Sequence, residues 1–122
     1  MNGLIIKKPW IDLIVDGKKL IEVRGHKTGK VGERIALLES GTQKVRGYCD
    51  IIDCIELNNL NWITLRNYHF VEDTWKELLQ TYKHPYAWEL GNITKETNDV
   101  YYDHPSGAVI WVKNIEEKIK PI

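Results

Sequence analysis

The sequence predicts an α+β domain: a mixed β-sheet curled into a small barrel, with a short helix after the first strand and a helical insertion around residues 61–82. Three observations carry this reading. Short apolar runs rich in β-branched residues recur along the chain, divided by glycine-bearing turns. A Pro-Trp pair and helical spacing follow the first of them directly. Between Asn61 and Tyr82 the apolar period lengthens to that of a helix before strand character returns.

Each element has its own signal. Gly3-Leu4-Ile5-Ile6-Lys7 reads as the first strand. Pro9 suits the first turn of a helix, where its missing N–H removes no bond. Trp10, Leu13 and Ile14, at i, i+3 and i+4, give that helix one apolar face. Gly17 stops it, because glycine tolerates the left-handed conformation of a helix end. A strand then runs through Arg24, and Lys27-Thr28-Gly29-Lys30-Val31-Gly32 forms a polar loop. Arg34 to Glu39 and Lys44 to Leu57 are strands joined by the turn Ser40-Gly41-Thr42-Gln43, with Gly47 a bulge or bend in the longer one. Val71, Trp75, Leu78, Leu79 and Tyr82 recur at helical spacing, with Glu72 and Asp73 placed for the positive N-terminal end. Tyr86 to Leu90 and Val109 to Val112 complete the strands, and the charged tail from Glu116 is expected at the surface.

Composition sets the class. A single domain over residues 1–122 is large enough to bury a core without disulfides or metals. Its 43% apolar and 28% charged residues are those of a globular chain rather than a disordered one. No apolar run approaches the roughly 20 residues of a membrane helix, and no secretory leader pattern stands at the start. A cytoplasmic protein without membrane contact is expected. Cys49 and Cys54 lie five positions apart in one strand, so simple alternation sends them to opposite faces as two reduced thiols. No histidine stands near them at zinc spacing, and neither a metal nor a cofactor is expected.

Net charge is zero but unevenly spread. Residues 1–46 hold ten Lys/Arg against five Asp/Glu, and residues 47–122 seven against twelve. A neutral total disfavours long-tract duplex binding, which needs many unopposed phosphate contacts. A short single strand or one nucleotide suits the basic first third better.

The densest chemistry lies in Gly17-Lys18-Lys19-Leu20-Ile21-Glu22-Val23-Arg24. In a regular strand Lys18, Glu22 and Arg24 share a face and Lys19 points the other way. Arg24 suits a phosphate or carboxylate held bidentately, or a stacked base. Glu22 suits a base amino group, or a salt bridge that orients Arg24. The same pair also fits an ordinary ion pair on a solvated strand.

Lys8-Pro9-Trp10 followed by Gly17-x-Lys19-x-x-Glu22-x-Arg24 resembles the signature of ASCH domains, which are related to the PUA fold. Gly47-Tyr48-Cys49-Asp50-Ile51-Ile52-Asp53-Cys54 is similar to the central strand of the ASCH domain in activating signal cointegrator proteins, and Tyr86-Ala87-Trp88 to a strand entering the same cleft. The resemblance implies a PUA-like fold and a cleft beside the first helix that binds RNA or a nucleotide-like ligand. Lys19, Glu22 and Arg24 would contact that ligand, which keeps Lys19 in the Gly17 turn or requires a bulge in the strand. A bacterial branch hydrolyses acetylated cytidine with a lysine matching Lys19, a threonine where this chain has Glu22, and a distant glutamate that no motif places here.

Trp10, Tyr86 and Trp88 are candidate stacking walls, worth roughly 1–3 kcal/mol per stacked base. Trp10 fits core packing equally well; Trp75 and Trp111 fit the core. His26 extends the basic surface, while His84 and His104 each precede proline in extended or turn backbone. The leading expectation is recognition of single-stranded RNA or a nucleotide-like group. The alternatives are an amidohydrolase on an acylated nucleoside such as N4-acetylcytidine, with Lys19 catalytic, and a protein-interaction module.

Overall fold

A computed structural model describes residues 1–121. In chain order the elements are β1 (Gly3–Ile6), α1 (Trp10–Val15), β2 (Ile21–Arg24), β3 (Arg34–Glu39), β4 (Lys44–Glu56), α2 (Asn59–Thr64), α3 (Arg66–His69), α4 (Trp75–Thr81), β5 (Tyr86–Tyr101) and β6 (Trp111–Val112), followed by a 3₁₀ turn at Ile115–Lys118. The six strands form one sheet in the order β2-β5-β4-β3-β1-β6. Among the described residues only β1 and β3 run parallel, and every other strand pairing is antiparallel. The sheet is therefore mixed, as expected, and curls into a half-barrel whose edges are β2 and β6.

That curl comes largely from irregularities in β4. Its register against β5 shifts three times, between Val45 and Gly47, between Tyr48 and Asp50, and between Ile51 and Asp53. Bulges of this kind bend a strand and raise its twist. At Gly47 a Cβ would lie 2.5 Å from the Thr94 carbonyl oxygen, so only glycine lets β5 come this close. The last shift leaves Ile52 and Asp53 both exposed and reverses the alternation beyond them. Cys49 and Cys54 consequently pack against the same apolar cluster, not on opposite faces as alternation alone predicts. Both are free thiols, and burial pushes that of Cys49 up to about 12.

Among the described residues three apolar clusters make up the core. The largest joins Ile11, Ile14 and Val15 of α1 to the inner face of β1, β3, β4 and β5. The buried stripe of α1 is thus Ile11, Ile14 and Val15, while Trp10 and Leu13 stay partly exposed, a rotation from the expected Trp10-Leu13-Ile14 face. Arg46 holds the outer side of α1, donating to Asp12 at 2.8 Å and to the buried Glu39 carboxylate. A second cluster lies beneath β6 and the final turn, where Ile115 is buried although Glu116 and Glu117 are exposed. The third sits beneath the helical insertion and contains Trp62 and Leu78.

The insertion is three short helices rather than one continuous pattern. Asn58 and Asn61 form a reciprocal cap at α2, and Thr74 and Glu77 form one at α4. Phe70, at φ 64°, ends α3 in a left-handed conformation. Val71, Glu72 and Asp73 therefore lie in the connection before α4, not on a helix. β5 also continues eleven residues past the expected end at Leu90, to Tyr101. No helix among the described residues is long and apolar enough to cross a membrane.

Candidate functional site

The site grows out of the way α1 ends. Gly17 adopts φ 77°, and the Leu13 carbonyl accepts the backbone N–H groups of both Lys18 and Lys19. This turn delays the start of β2 to Ile21, so Lys19 is released from strand alternation. Lys18 is exposed, while the Lys19 side chain runs inward and is only 1% accessible. Its Nζ donates to the His69 carbonyl at 2.5 Å, lies 3.9 Å from Glu22 Oε1, and sits 5.0 Å from the centre of the Trp10 ring.

Three residues on from Lys19, Glu22 is paired across the sheet with Trp88, and Arg24 with Tyr86. The Glu22 carboxylate, 6% exposed, accepts two hydrogen bonds at Oε2, from Arg24 Nε at 3.0 Å and Nη2 at 2.8 Å. The same Nη2 donates to the Ile5 carbonyl of β1 at 2.9 Å. β6 pairs with β1 only at Gly3 and Leu4, and beyond it the Ile5 N–H donates to the Ile110 carbonyl while the Ile5 carbonyl is left for Arg24. Arg24 therefore spans the seam between β2 and β1 on the open side of the half-barrel.

Beside this seam lies a cleft of about 400 Å³. Trp10, Lys19, Glu22 and Arg24 all line it, together with Lys7, Asp73 and Tyr82. Its volume falls in the lower part of the roughly 300–1,000 Å³ range of small-ligand sites. Among the described residues, Arg24 Nη1 and two of the three Lys19 N–H groups have no acceptor. Burial is the main cause that lowers the Lys19 pKa to about 8; Glu22 opposes it and Arg24 adds to it.

Tyr86 and Trp88 do not line this cleft. Trp88 is completely buried, donates its indole N–H to the His26 carbonyl at 3.0 Å, and stacks on Trp111 with ring centres 5.9 Å apart. It is a core residue, not a wall. Tyr86 packs partly buried against the same core, with Lys27 Nζ 6.0 Å from its ring. The aromatic wall that sequence reading assigned to the helical core instead is Tyr82. It meets the motif through Gly25, where an added Cβ would stand 2.6 Å from Tyr82 Cδ1. Gly25→Ala is expected to displace that ring at a cost of about 1–3 kcal/mol. Thermal unfolding and the aromatic NMR shifts of Tyr82 measure the two effects.

Sequence reading also passed over His69. Its imidazole is completely buried and stacked on Trp62 at 3.8 Å. Nδ1 accepts the Val71 backbone N–H at 3.0 Å, so Nε2 carries the proton and donates to the Trp62 carbonyl at 2.9 Å. Burial is the main cause that lowers its pKa. This neutral ring fixes the backbone whose carbonyl receives Lys19. Only a spatial neighbour fifty residues away links the two, and no local motif marks it.

Comparison with known proteins bears on the family and the fold. The family model of the ASCH domain matches residues 4–98. Among solved structures, ASCH from Zymomonas mobilis is 17% identical with a TM-score of 0.67, covering 77% of this chain and 68% of that one. Its S128A mutant is 16% identical with a TM-score of 0.68, over 95% and 90% of the two chains. Comparison with curated proteins gives no match. At these identities the structures establish the PUA-like fold, and the family model spans β1, the motif and most of β5. The chain belongs to the ASCH domain family.

Proposed function

We propose that the cleft binds a nucleotide-like group, presented singly or within single-stranded RNA. One observation carries the reading: Lys19, Glu22 and Arg24, brought together from a six-residue stretch, line one cleft with cationic donors still unspent. Arg24 Nη1 and Lys19 Nζ suit phosphate or carbonyl oxygens. Trp10 and Tyr82 offer ring faces for a base, and the cleft volume fits one nucleoside rather than a duplex. Titration with mononucleotides and short RNA oligomers at low and moderate salt tests this. Wild-type protein should bind and Lys19→Met should not; equal binding by the two would remove the assignment.

The lowered pKa of Lys19 favours a second reading, hydrolysis of an acylated nucleoside. An amine titrating near 8 is neutral in a useful fraction at physiological pH and can act as nucleophile or base. Asp73, on the cleft wall from outside the motif, adds a second carboxylate. Glu22, held by Arg24, stands where the hydrolytic branch has threonine. Incubation with N4-acetylcytidine and chromatography of the product separates the readings. Release of cytidine that disappears in Lys19→Met supports turnover; release at the same rate in both proteins rejects it.

A further inference from the structure

We propose that the basic and aromatic face next to the cleft, where Lys27 and Lys30 lie over Tyr86 and Trp111, is a second station for single-stranded nucleic acid, taking nucleotides that flank the one in the cleft. The inference rests on the cleft being a nucleotide site and extends it along the strand.

Ring and cation contacts run from Arg24 through Trp88 and Trp111 to Lys30, and Tyr86, under Lys27, is the cross-strand partner of Arg24. Arg24, on the cleft, has its guanidinium carbon 5.8 Å from the centre of the Trp88 ring. Trp88 stacks on Trp111 with 13° between the planes, and the His26 ring meets the Trp88 edge at 5.4 Å. Lys30 Nζ then lies 5.1 Å from the Trp111 ring, and Lys27 Nζ lies 6.0 Å from that of Tyr86. Trp88 is sealed inside, but Trp111, Tyr86 and Lys30 are partly exposed and His26 and Lys27 exposed.

The partner follows from what these groups lack. Among the described residues neither Lys27 nor Lys30 has a carboxylate within 4 Å, whereas the neighbouring Arg34 is paired with Asp50 at 3.0 Å. Both ammonium groups rest on ring faces, a weak hold at an exposed site. A ligand that gives each lysine an anion and each ring a flat partner displaces that arrangement favourably. A phosphodiester strand with unpaired bases supplies both at nucleotide spacing. An acidic peptide supplies only the charge and leaves the rings unmet.

Binding of uridine mononucleotide and of RNA and DNA hexanucleotides to the full chain tests the proposal, using wild type, Lys27→Glu/Lys30→Glu and Lys19→Met. The expected result is a hexamer affinity about tenfold or more above that of the mononucleotide in wild type, the equivalent of one further stacked base. The double variant should lose that gain while binding the mononucleotide like wild type. Its slope of log affinity against log salt should fall by about 1.4, two phosphate contacts at about 0.7 each. A hexamer no tighter than the mononucleotide, a gain that survives in the double variant, or polyglutamate competing as well as the hexamer would each overturn the second station. Mononucleotide binding that is absent or unaffected by Lys19→Met would overturn the cleft reading instead.

Discussion

Arg24→Ala should lower the free energy of unfolding by about 3 kcal/mol, and the thermal midpoint by about 10 °C. The substitution removes three hydrogen bonds at once, two to Glu22 and one to the Ile5 carbonyl. It also leaves a nearly buried carboxylate facing only Lys19, at 3.9 Å. Removing one partner of a buried ion pair costs about 3–5 kcal/mol; the lower end applies because the Arg24 side chain is 16% accessible. Arg24→Lys keeps the charge but cannot reach Glu22 and Ile5 together, and should recover only part of the loss. The paired variant Glu22→Met/Arg24→Met leaves no unpaired carboxylate but takes from Lys19 the carboxylate facing it, so it should be more stable than Arg24→Ala above pH 8, where Lys19 is mostly neutral. Urea unfolding measures all three, and an Arg24→Ala midpoint equal to wild type would show that the seam bridge contributes nothing. Arg24→Ala is for this reason a poor reporter of ligand binding, because it loosens the cleft it would probe.

Lys19→Met should act in the opposite sense. The folded protein holds the Lys19 pKa at about 8, below its ordinary 10.5, so between these values the unfolded chain binds more protons. Wild-type stability therefore rises with pH from about 8 to about 10.5, by up to about 3 kcal/mol, as a buried charge is relieved. Below pH 8 the full cost is present. Methionine fills similar space without the charge, but it forfeits the hydrogen bond to the His69 carbonyl, worth about 1.5–3 kcal/mol. At pH 7 the variant should thus be as stable as wild type or up to about 2 kcal/mol more so, show none of Lys19's alkaline rise, and bind no ligand. In wild type, affinity for an anionic ligand should fall above pH 8 as the ammonium deprotonates. Identical pH–stability curves for the two proteins would show that Lys19 does not set the alkaline rise.

The fold was legible wherever local chemistry decides. Pro9, Gly17 and the β-branched runs mark where elements start and stop, because capping and strand preference act within a few residues. The motif marked the cleft for the same reason: Gly17 dictates a turn, and the turn frees Lys19 from the strand. What the sequence concealed depends on partners distant in the chain. The bulges that bring Cys54 to the side of Cys49 arise from pairing β4 with β5, forty residues later. Trp88 looks the same whether it stacks on a base or on Trp111; only the curl of the sheet puts Trp111 against it. Tyr82 continues the helical period of Leu78, yet it ends on the cleft because α4 stops at Thr81.

The buried imidazole of His69 adds a constraint on the medium in which this cleft can exist. Its Nδ1 has a backbone N–H in front of it and no room for a second proton. Acidification below about 6.5, the ordinary value for histidine, favours the unfolded chain, where the ring charges freely. Lys19 sets the other limit, near 8, where its ammonium is half deprotonated. The cleft is built for one proton inventory, a single proton on His69 and three on Lys19 Nζ. It gives way on the acid side as the unfolded chain takes up a proton at His69, and on the alkaline side as Lys19 loses one.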